Sequence, residues 1–553
     1  MNDKETQKQA KEFYTQGMAY YNRGDYAKVI EVFHKSLALK PDDTKTYFNL
    51  GMACLRKGDH AGAVEAYRKV LELEPDHAGA HCNLGIIYSD RDDHAVAVEA
   101  YRKALKINPD YVAAHYNLGL SQAKLGDPNA AVESFRTAVR LMPSYADAHY
   151  SLGVALCERG DRAEALECFR KVVVLKPDLA DAHCNLGILY RDQGNYTAAI
   201  KALQKALKLK PDYADASKCL GTIYSERRNH AGSIDAYYKV LKANPRDAEA
   251  CNGLGNAYSR HGNYTQAIEA YRKSIELEPG NAKVIHNLGM VQSKKGDHAD
   301  AAESCRKALK LTPEDGQIYY TLGMAYYDLE DYAASAEAFR NAVKYNPDDA
   351  ESWNGLGIAY KYLRKYAEAI KVYRKALELK PGLAEAWCNM GIIYSKQGKG
   401  AREIECFQKA IEVRPDLEGA HTHLGVLYYN RKDYAGAVKL FHQAIRLSPN
   451  DGEIYSNLGC AYSFQDNYAA AFDAFRKSIK LKPDNAKVYK YRGDACVRQG
   501  NFAAAIESYQ KTVQLNPKYT KAYFCLADMY RRQRRYAAVL KSCYKAIKTV
   551  FKK

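Results

Sequence analysis

Fifteen prolines stand 34 residues apart, from Pro41 to Pro517, with no residue gained or lost between them. Ten residues after each of the first fourteen comes a glycine, Gly51 through Gly493, and Gly17 extends the same series. A fixed period of this length marks a stacked repeat. Each unit is one supersecondary structure that buries its apolar face only against its neighbours. With the glycine set as position 8, the first repeat is 10–43 and the last 520–553, sixteen in all. Residues 1–9 lie outside the period, are polar, and are expected to fray.

Position 7 is Leu in thirteen repeats, position 11 is Tyr in eleven, position 20 is Ala in eleven and position 24 is Phe or Tyr in thirteen. Positions 4, 7, 8 and 11 share one face of a first helix, and positions 20, 24 and 27 share one face of a second. Small residues at 8 and 20 let two backbones approach, while large ones at 7, 11 and 24 fill the space beside them. Position 15 is Gly in nine repeats, which suits the left-handed residue that ends a helix. Position 16 is Asp or Asn in thirteen, an N-cap for the second helix. Proline at position 32 halts that helix. The remaining proline, Pro128, follows the cap Asp127 at the first helical position, where proline is tolerated. The pattern predicts an all-α solenoid of sixteen helix–turn–helix repeats.

This pattern resembles the tetratricopeptide repeat (TPR) family. Trp353, Leu356, Gly357, Tyr360, Ala369, Tyr373, Ala376 and Pro381 meet that family's consensus at every position, and the match spans 544 of 553 residues. The departures are Gln16 and Arg492 at position 7, Ala527 at 8, Cys305 and Cys543 at 24, and Phe551 in place of a last proline. The resemblance implies a right-handed superhelix with the first helices lining a concave groove, so that positions 2, 5, 6, 9, 12 and 13 face it. It also implies a non-catalytic protein–protein interaction scaffold that holds extended polypeptide in that groove.

Position 6 is Asn49, Asn83, Asn117, Asn185, Asn287, Asn389 and Asn457 in seven of the repeats. An asparagine both donates and accepts, so a row of them can hold a peptide backbone whatever its side chains. The row looks like the asparagine ladder in the repeat half of the O-GlcNAc transferase family, whose glycosyltransferase domain has no counterpart here. One alternative function is therefore the targeting or substrate-recruiting subunit of a separate enzyme such as a glycosyltransferase. The other use of the row is bonding between repeats. The carboxylate clamp of co-chaperones is not reproduced: Lys218 and Lys283 fill two of its slots, but Thr222, Gly253 and Asn287 break the set.

The net charge of +17 is uneven. The last repeat carries Lys521, Arg531, Arg532, Arg534, Arg535, Lys541, Lys545, Lys548, Lys552 and Lys553 against Asp528 alone. A concentrated basic end attracts acidic protein, an anionic membrane surface or, less favoured here, nucleic acid; its bland use is as a polar cap for the array.

Fourteen cysteines occur with no C-x-x-C pair, so neither a disulfide framework nor a zinc site is expected. Cys54, Cys305, Cys496 and Cys543 occupy core positions as small hydrophobes. Cys82, Cys184 and Cys388 share position 5 and are expected as solvent-facing thiols of a reducing, cytoplasmic compartment. No apolar run suggests a signal peptide or a membrane span. His81, His115, His149 and His183 all fall at position 4. Stacked helices hold such residues roughly 10 Å apart, whereas zinc ligands converge to about 2 Å from the ion. No P-loop, H-E-x-x-H or G-x-S-x-G motif is present, and Gly398-Lys399-Gly400 is an ordinary inter-helix turn. No enzyme activity, cofactor or metal is expected.

Overall fold

A computed structural model describes residues 3–551. Met1 and Asn2 of the polar tail, and Lys552 and Lys553 of the basic end, lie outside it. Among the described residues there are thirty-two α-helices and no strand, in the order of sixteen consecutive hairpins. The chain forms two compact units, Met1–Leu277 and Glu278–Lys553, with sixteen helices in each. Within each unit every helix packs on the next along the chain. First helices also meet the first helix of the following repeat, as Ala180–Asp192 meets Ala214–Glu226 and Gly452–Phe464 meets Ala486–Arg498. Among the described residues no comparable pairing joins successive second helices. In each unit the first helices therefore form the crowded inner layer and the second helices the spread outer one.

The two helices of a hairpin are set together by the ring at position 24, which lies on the glycine at position 8. A Cβ added at Gly357 would come within 2.5 Å of the Tyr373 ring, one at Gly85 within 2.5 Å of Tyr101, and one at Gly459 within 2.6 Å of Phe475. Those rings are fully buried. Leu203 fills the same place over Gly187. Where position 24 carries no ring, as at Cys543, the glycine position tolerates Ala527. Buried serines add direct ties between the paired helices. Ser233 Oγ donates to the Gly221 carbonyl and Ser335 Oγ to that of Gly323, both at 2.8 Å. Neighbouring repeats are joined on the outer side by a contact from position 25 to position 11. Arg170 Nε donates to the Tyr190 hydroxyl at 3.0 Å, and Gln510 Nε2 to that of Tyr530 at 2.8 Å.

The turn inside each hairpin is uniform. All sixteen residues at position 15 have positive φ: the nine glycines, and Asp92, Arg228, Glu330, Arg364, Lys432, Asp466 and Arg534 at φ 58–65°. The following N–H then reaches back to the position-11 carbonyl, as Asp59 does to Cys54 at 2.8 Å, closing the first helix. Position 16 caps the second helix: Asp59 accepts from the Gly62 N–H at 2.9 Å and Asn229 from Gly232 at 3.1 Å. Asp93, Asp161 and Asp297 occupy the same place without a side-chain cap bond.

The first helix begins at Asp3, so residues 3–9, expected to fray, extend it. That segment has neither Pro nor Gly and is rich in Lys, Glu and Gln, all good helix formers. Its continuation is anchored by buried Ala10, whose carbonyl accepts from Ser36 Oγ at 2.9 Å.

Two substitutions in one hairpin test this account. Gly357→Ala forces a methyl into the Tyr373 ring and is expected to destabilise the protein by roughly 1–3 kcal/mol. Arg364→Gly relieves a left-handed arginine and is expected to stabilise it by about 1 kcal/mol. Thermal or urea unfolding followed by circular dichroism reads both; shifts of the same sign would contradict the packing and turn assignments.

Candidate peptide-binding face

The inner face of each unit is built from the first helices, whose core residues at 7, 8 and 11 turn toward their partners. The opposite side of the same helices carries positions 6 and 9. All seven position-6 asparagines are half-buried on this side. Three of them bond within the protein. Asn49 Nδ2 donates to the Tyr14 hydroxyl at 2.9 Å, Asn83 to Tyr67 at 3.0 Å, and Asn185 to Tyr150 at 3.4 Å. Asn389 instead accepts, through Oδ1, from Lys361 Nζ at 2.7 Å. The side chains of Asn117, Asn287 and Asn457 make no hydrogen bond to another described residue. The row thus divides into asparagines that brace the repeats and asparagines with free amides.

Position 9 adds a feature the sequence reading placed on this face without examining its chemistry. Met18, Met52, Ile86, Leu120, Val154 and Ile188 occupy it in the first unit, and Met290, Met324, Ile358, Ile392 and Val426 in the second. These side chains are half-buried, and Leu120 is 37% exposed. An apolar row therefore runs beside the asparagine row. Reading position 9 alone down the repeats would have found it.

Position 5 departs from expectation. Cys82 and Cys184 are each only 1% exposed and are not solvent-facing thiols, while Cys388 is half-buried. The tyrosines at the end of the same repeats, Tyr111 and Tyr213, pack against the clusters that hold these cysteines. Burial pushes the Cys82 thiol up to about 11 and that of Cys184 up to about 12, so neither is a reactive thiolate at neutral pH.

The position-4 histidines hold the repeats together. The Nε2 of His81, His115, His149 and His183 meets the carbonyl of Pro75, Pro109, Pro143 and Pro177 in turn, at 3.1, 2.8, 3.0 and 2.9 Å. His421 does the same with Pro415 at 2.8 Å, and Trp353 Nε1 donates to Pro347 at 2.8 Å. One donor at position 4 thus serves the carbonyl of the preceding repeat's proline, whether histidine or tryptophan supplies it. No group of three or more His, Cys, Asp or Glu among the described residues is placed to hold a metal ion.

At the basic end, Lys521, Arg531, Arg532, Arg534, Arg535, Lys541 and Lys545 are all exposed. Two of them are paired: Arg531 Nη2 and Arg532 Nε donate to Asp528 at 2.8 and 3.0 Å, and the Arg531 bond foremost holds that carboxyl below its usual range. The guanidinium of Arg535 lies 5.2 Å from the Tyr530 ring centroid. The last helix also exposes Tyr536 (66%), Leu540 (72%), Tyr544 (66%) and Ile547 (51%) along one side, a stripe the charge count did not reveal. No helix among the described residues is long and apolar enough to cross a membrane.

Family models of the tetratricopeptide repeat match residues 10–43, 51–91, 87–126, 116–180, 384–417, 416–484, 456–520 and 497–548. The chain is a tetratricopeptide repeat protein. A further family model, the Cilia and flagella-associated protein 70 C-terminal domain, matches residues 155–385 of this tetratricopeptide array. No curated protein matches it. Among solved structures it is similar to a chain of the APC/C hetero-tetramer Cut9-Hcn1, at 17% identity over 90% of this chain and 98% of that one, with a TM-score of 0.38. It is similar to yeast Tom70 at 18% identity over 89% and 96%, with a TM-score of 0.37. YrrB, described as a TPR protein with an unusual peptide-binding site, is 29% identical over 34% of this chain and 96% of its own, with a TM-score of 0.32.

The position-4 histidines in this tetratricopeptide array carry a pH dependence through their burial. Burial holds the His81 and His149 imidazoles below their ordinary pKa. The unfolded chain then takes up protons first as pH falls. Their contribution to stability is complete above about pH 6.5 and is lost as pH drops toward the lowered folded values. The thermal midpoint is expected to be lower at pH 5.5 than at pH 7.5, and the double variant His81→Phe, His149→Phe is expected to narrow that gap. An unchanged gap in the variant would refute the assignment.

Proposed function

We propose that this protein is a non-catalytic interaction scaffold whose inner face takes up extended polypeptide. The observation that carries the reading is the apolar row at position 9 beside the position-6 asparagines, of which Asn117, Asn287 and Asn457 keep free amides. A peptide in extended conformation alternates its polar backbone groups with side chains and rises about 3.3 Å per residue. Repeats spaced roughly 10 Å apart would meet about every third residue of such a segment. The amides supply hydrogen bonds to the backbone and the apolar row supplies burial for side chains. Each contact is weak, and several act together through effective concentration. The resemblance of the asparagine row to that of O-GlcNAc transferase-type repeats supports the same use, including recruitment of substrates for an enzyme carried on another chain.

A second reading rests on the exposed stripe Tyr536, Leu540, Tyr544 and Ile547 with its flanking lysines. An apolar stripe edged by positive charge suits an acidic protein surface more closely than it suits nucleic acid, since stripe and charge both find partners there.

The first reading is tested by capturing partners with the full chain, mapping the bound segment and measuring its affinity for variants. Asn117→Ala, Asn287→Ala and Asn457→Ala are each expected to weaken binding by roughly fivefold, the worth of one hydrogen bond. Loss of all binding from one substitution, or no loss from any, would argue for a different site. The second reading predicts that Arg534→Gln, Lys541→Gln and Lys545→Gln together flatten the salt dependence of partner binding; an unchanged salt slope would remove it.

A further inference from the structure

The junction between the eleventh and twelfth repeats, 350–383 and 384–417, differs from the others in its polar chemistry. Lys361 stands at position 12 on the inner face, half-buried, with its Nζ on Asn389 Oδ1 at 2.7 Å and 5.0 Å from the Tyr362 ring centroid. An ammonium group carries three N–H donors, and Asn389 takes one. Among the described residues no carboxylate lies within ion-pairing distance of this lysine, and the other charge that acts on it is a second cation, Lys396. A cation partly withdrawn from water without a counter-charge is costly.

Two neighbouring groups are also left without partners. In the second repeat the position-24 hydroxyl of Tyr67 accepts from Asn83 Nδ2 across the following junction. Here Asn389 is the equivalent asparagine and Tyr373 the equivalent tyrosine, but Lys361 has drawn the amide oxygen. Tyr373 is fully buried and its hydroxyl has no partner. Asn354, two helical turns before Lys361 on the same helix and 8% exposed, has an amide oxygen without a partner. Cys388 lies near both Lys361 and Tyr373. Asn389 Nδ2 donates to no described residue. Lys361 Nζ and Asn389 Nδ2 thus offer adjacent donors with no acceptor between them.

We infer that Lys361 and Asn389 form an anion subsite on the inner face, which receives a carboxylate of a bound polypeptide. A carboxylate has two oxygens, one for the ammonium and one for the amide, and a single negative charge that matches Lys361. The carboxylate is either an Asp or Glu side chain or the partner's C-terminus. This inference rests on the peptide-binding reading of that face and names one feature of what the face selects.

The test uses the full chain and three fluorescent, N-acetylated dodecapeptides of Ser, Gly and Leu. The first has one central Glu and an amidated C-terminus, the second has Gln in its place, and the third has Gln with a free C-terminal carboxylate. Fluorescence anisotropy is expected to show at least one carboxylate peptide binding roughly tenfold tighter than the neutral one, as a charge-assisted hydrogen bond implies. Whichever is preferred identifies the source. Lys361→Met is expected to remove the preference and Lys361→Arg to retain it, with both variants melting as cooperatively as the parent. A preference that survives Lys361→Met, or equal binding of all three peptides, overturns the subsite. If the neutral peptide binds and is weakened by Asn457→Ala, two repeats from the subsite, in either case, the groove reading stands without it. Failure of all three peptides to bind counts against both.

Discussion

The contact of a position-24 ring with a position-8 glycine fixes how closely the two helices of each hairpin approach. Everything else in a repeat is arranged around that distance. In the thirteen hairpins that carry a ring, it fills the space a Cβ would occupy; the turn residue at position 15 is left-handed in all sixteen, with or without the ring. Seven side-chain-bearing residues accept that conformation, which shows that the packing of the hairpin outweighs the local backbone cost of about 1–2 kcal/mol at each.

Between hairpins the ties are equally local. A donor at position 4 reaches the proline carbonyl of the preceding repeat, and position 25 reaches the tyrosine at position 11 of the following one. Such an array gains stability from nearest-neighbour interfaces, so no single residue holds it together. The same locality leaves one side of every first helix free of core duties. Chemistry can accumulate there one repeat at a time: an amide at position 6, an apolar side chain at position 9, and at one junction an unpaired lysine.

The helices, their order and their caps were legible in the sequence because they depend on residues within one or two periods of each other. Pro128 following Asp127, the glycines at position 15 and the Ala527–Cys543 exchange all read directly. The thiols did not. Cys82 and Cys184 share a position with half-buried Cys388; Tyr111 and Tyr213 pack on the clusters of the first two, and Leu417 stands at the same repeat position beside the third. The position-4 histidines were legible as structural, but not as donors to a carbonyl six residues earlier in the chain.

By itself the sequence determined a helical hairpin of constant length and the face each residue takes, because the 34-residue period and the 3.6-residue turn leave no other register. Only the tertiary structure decided which polar groups on the inner face are available. Asn49, Asn83, Asn117 and Asn389 are identical in type and repeat position, yet one donates to Tyr14, one to Tyr67, one is free and one is held by Lys361. The reason is reach: a side chain's partner is set by how far its neighbours across a junction extend, a quantity of three-dimensional packing that no single position in the repeat records.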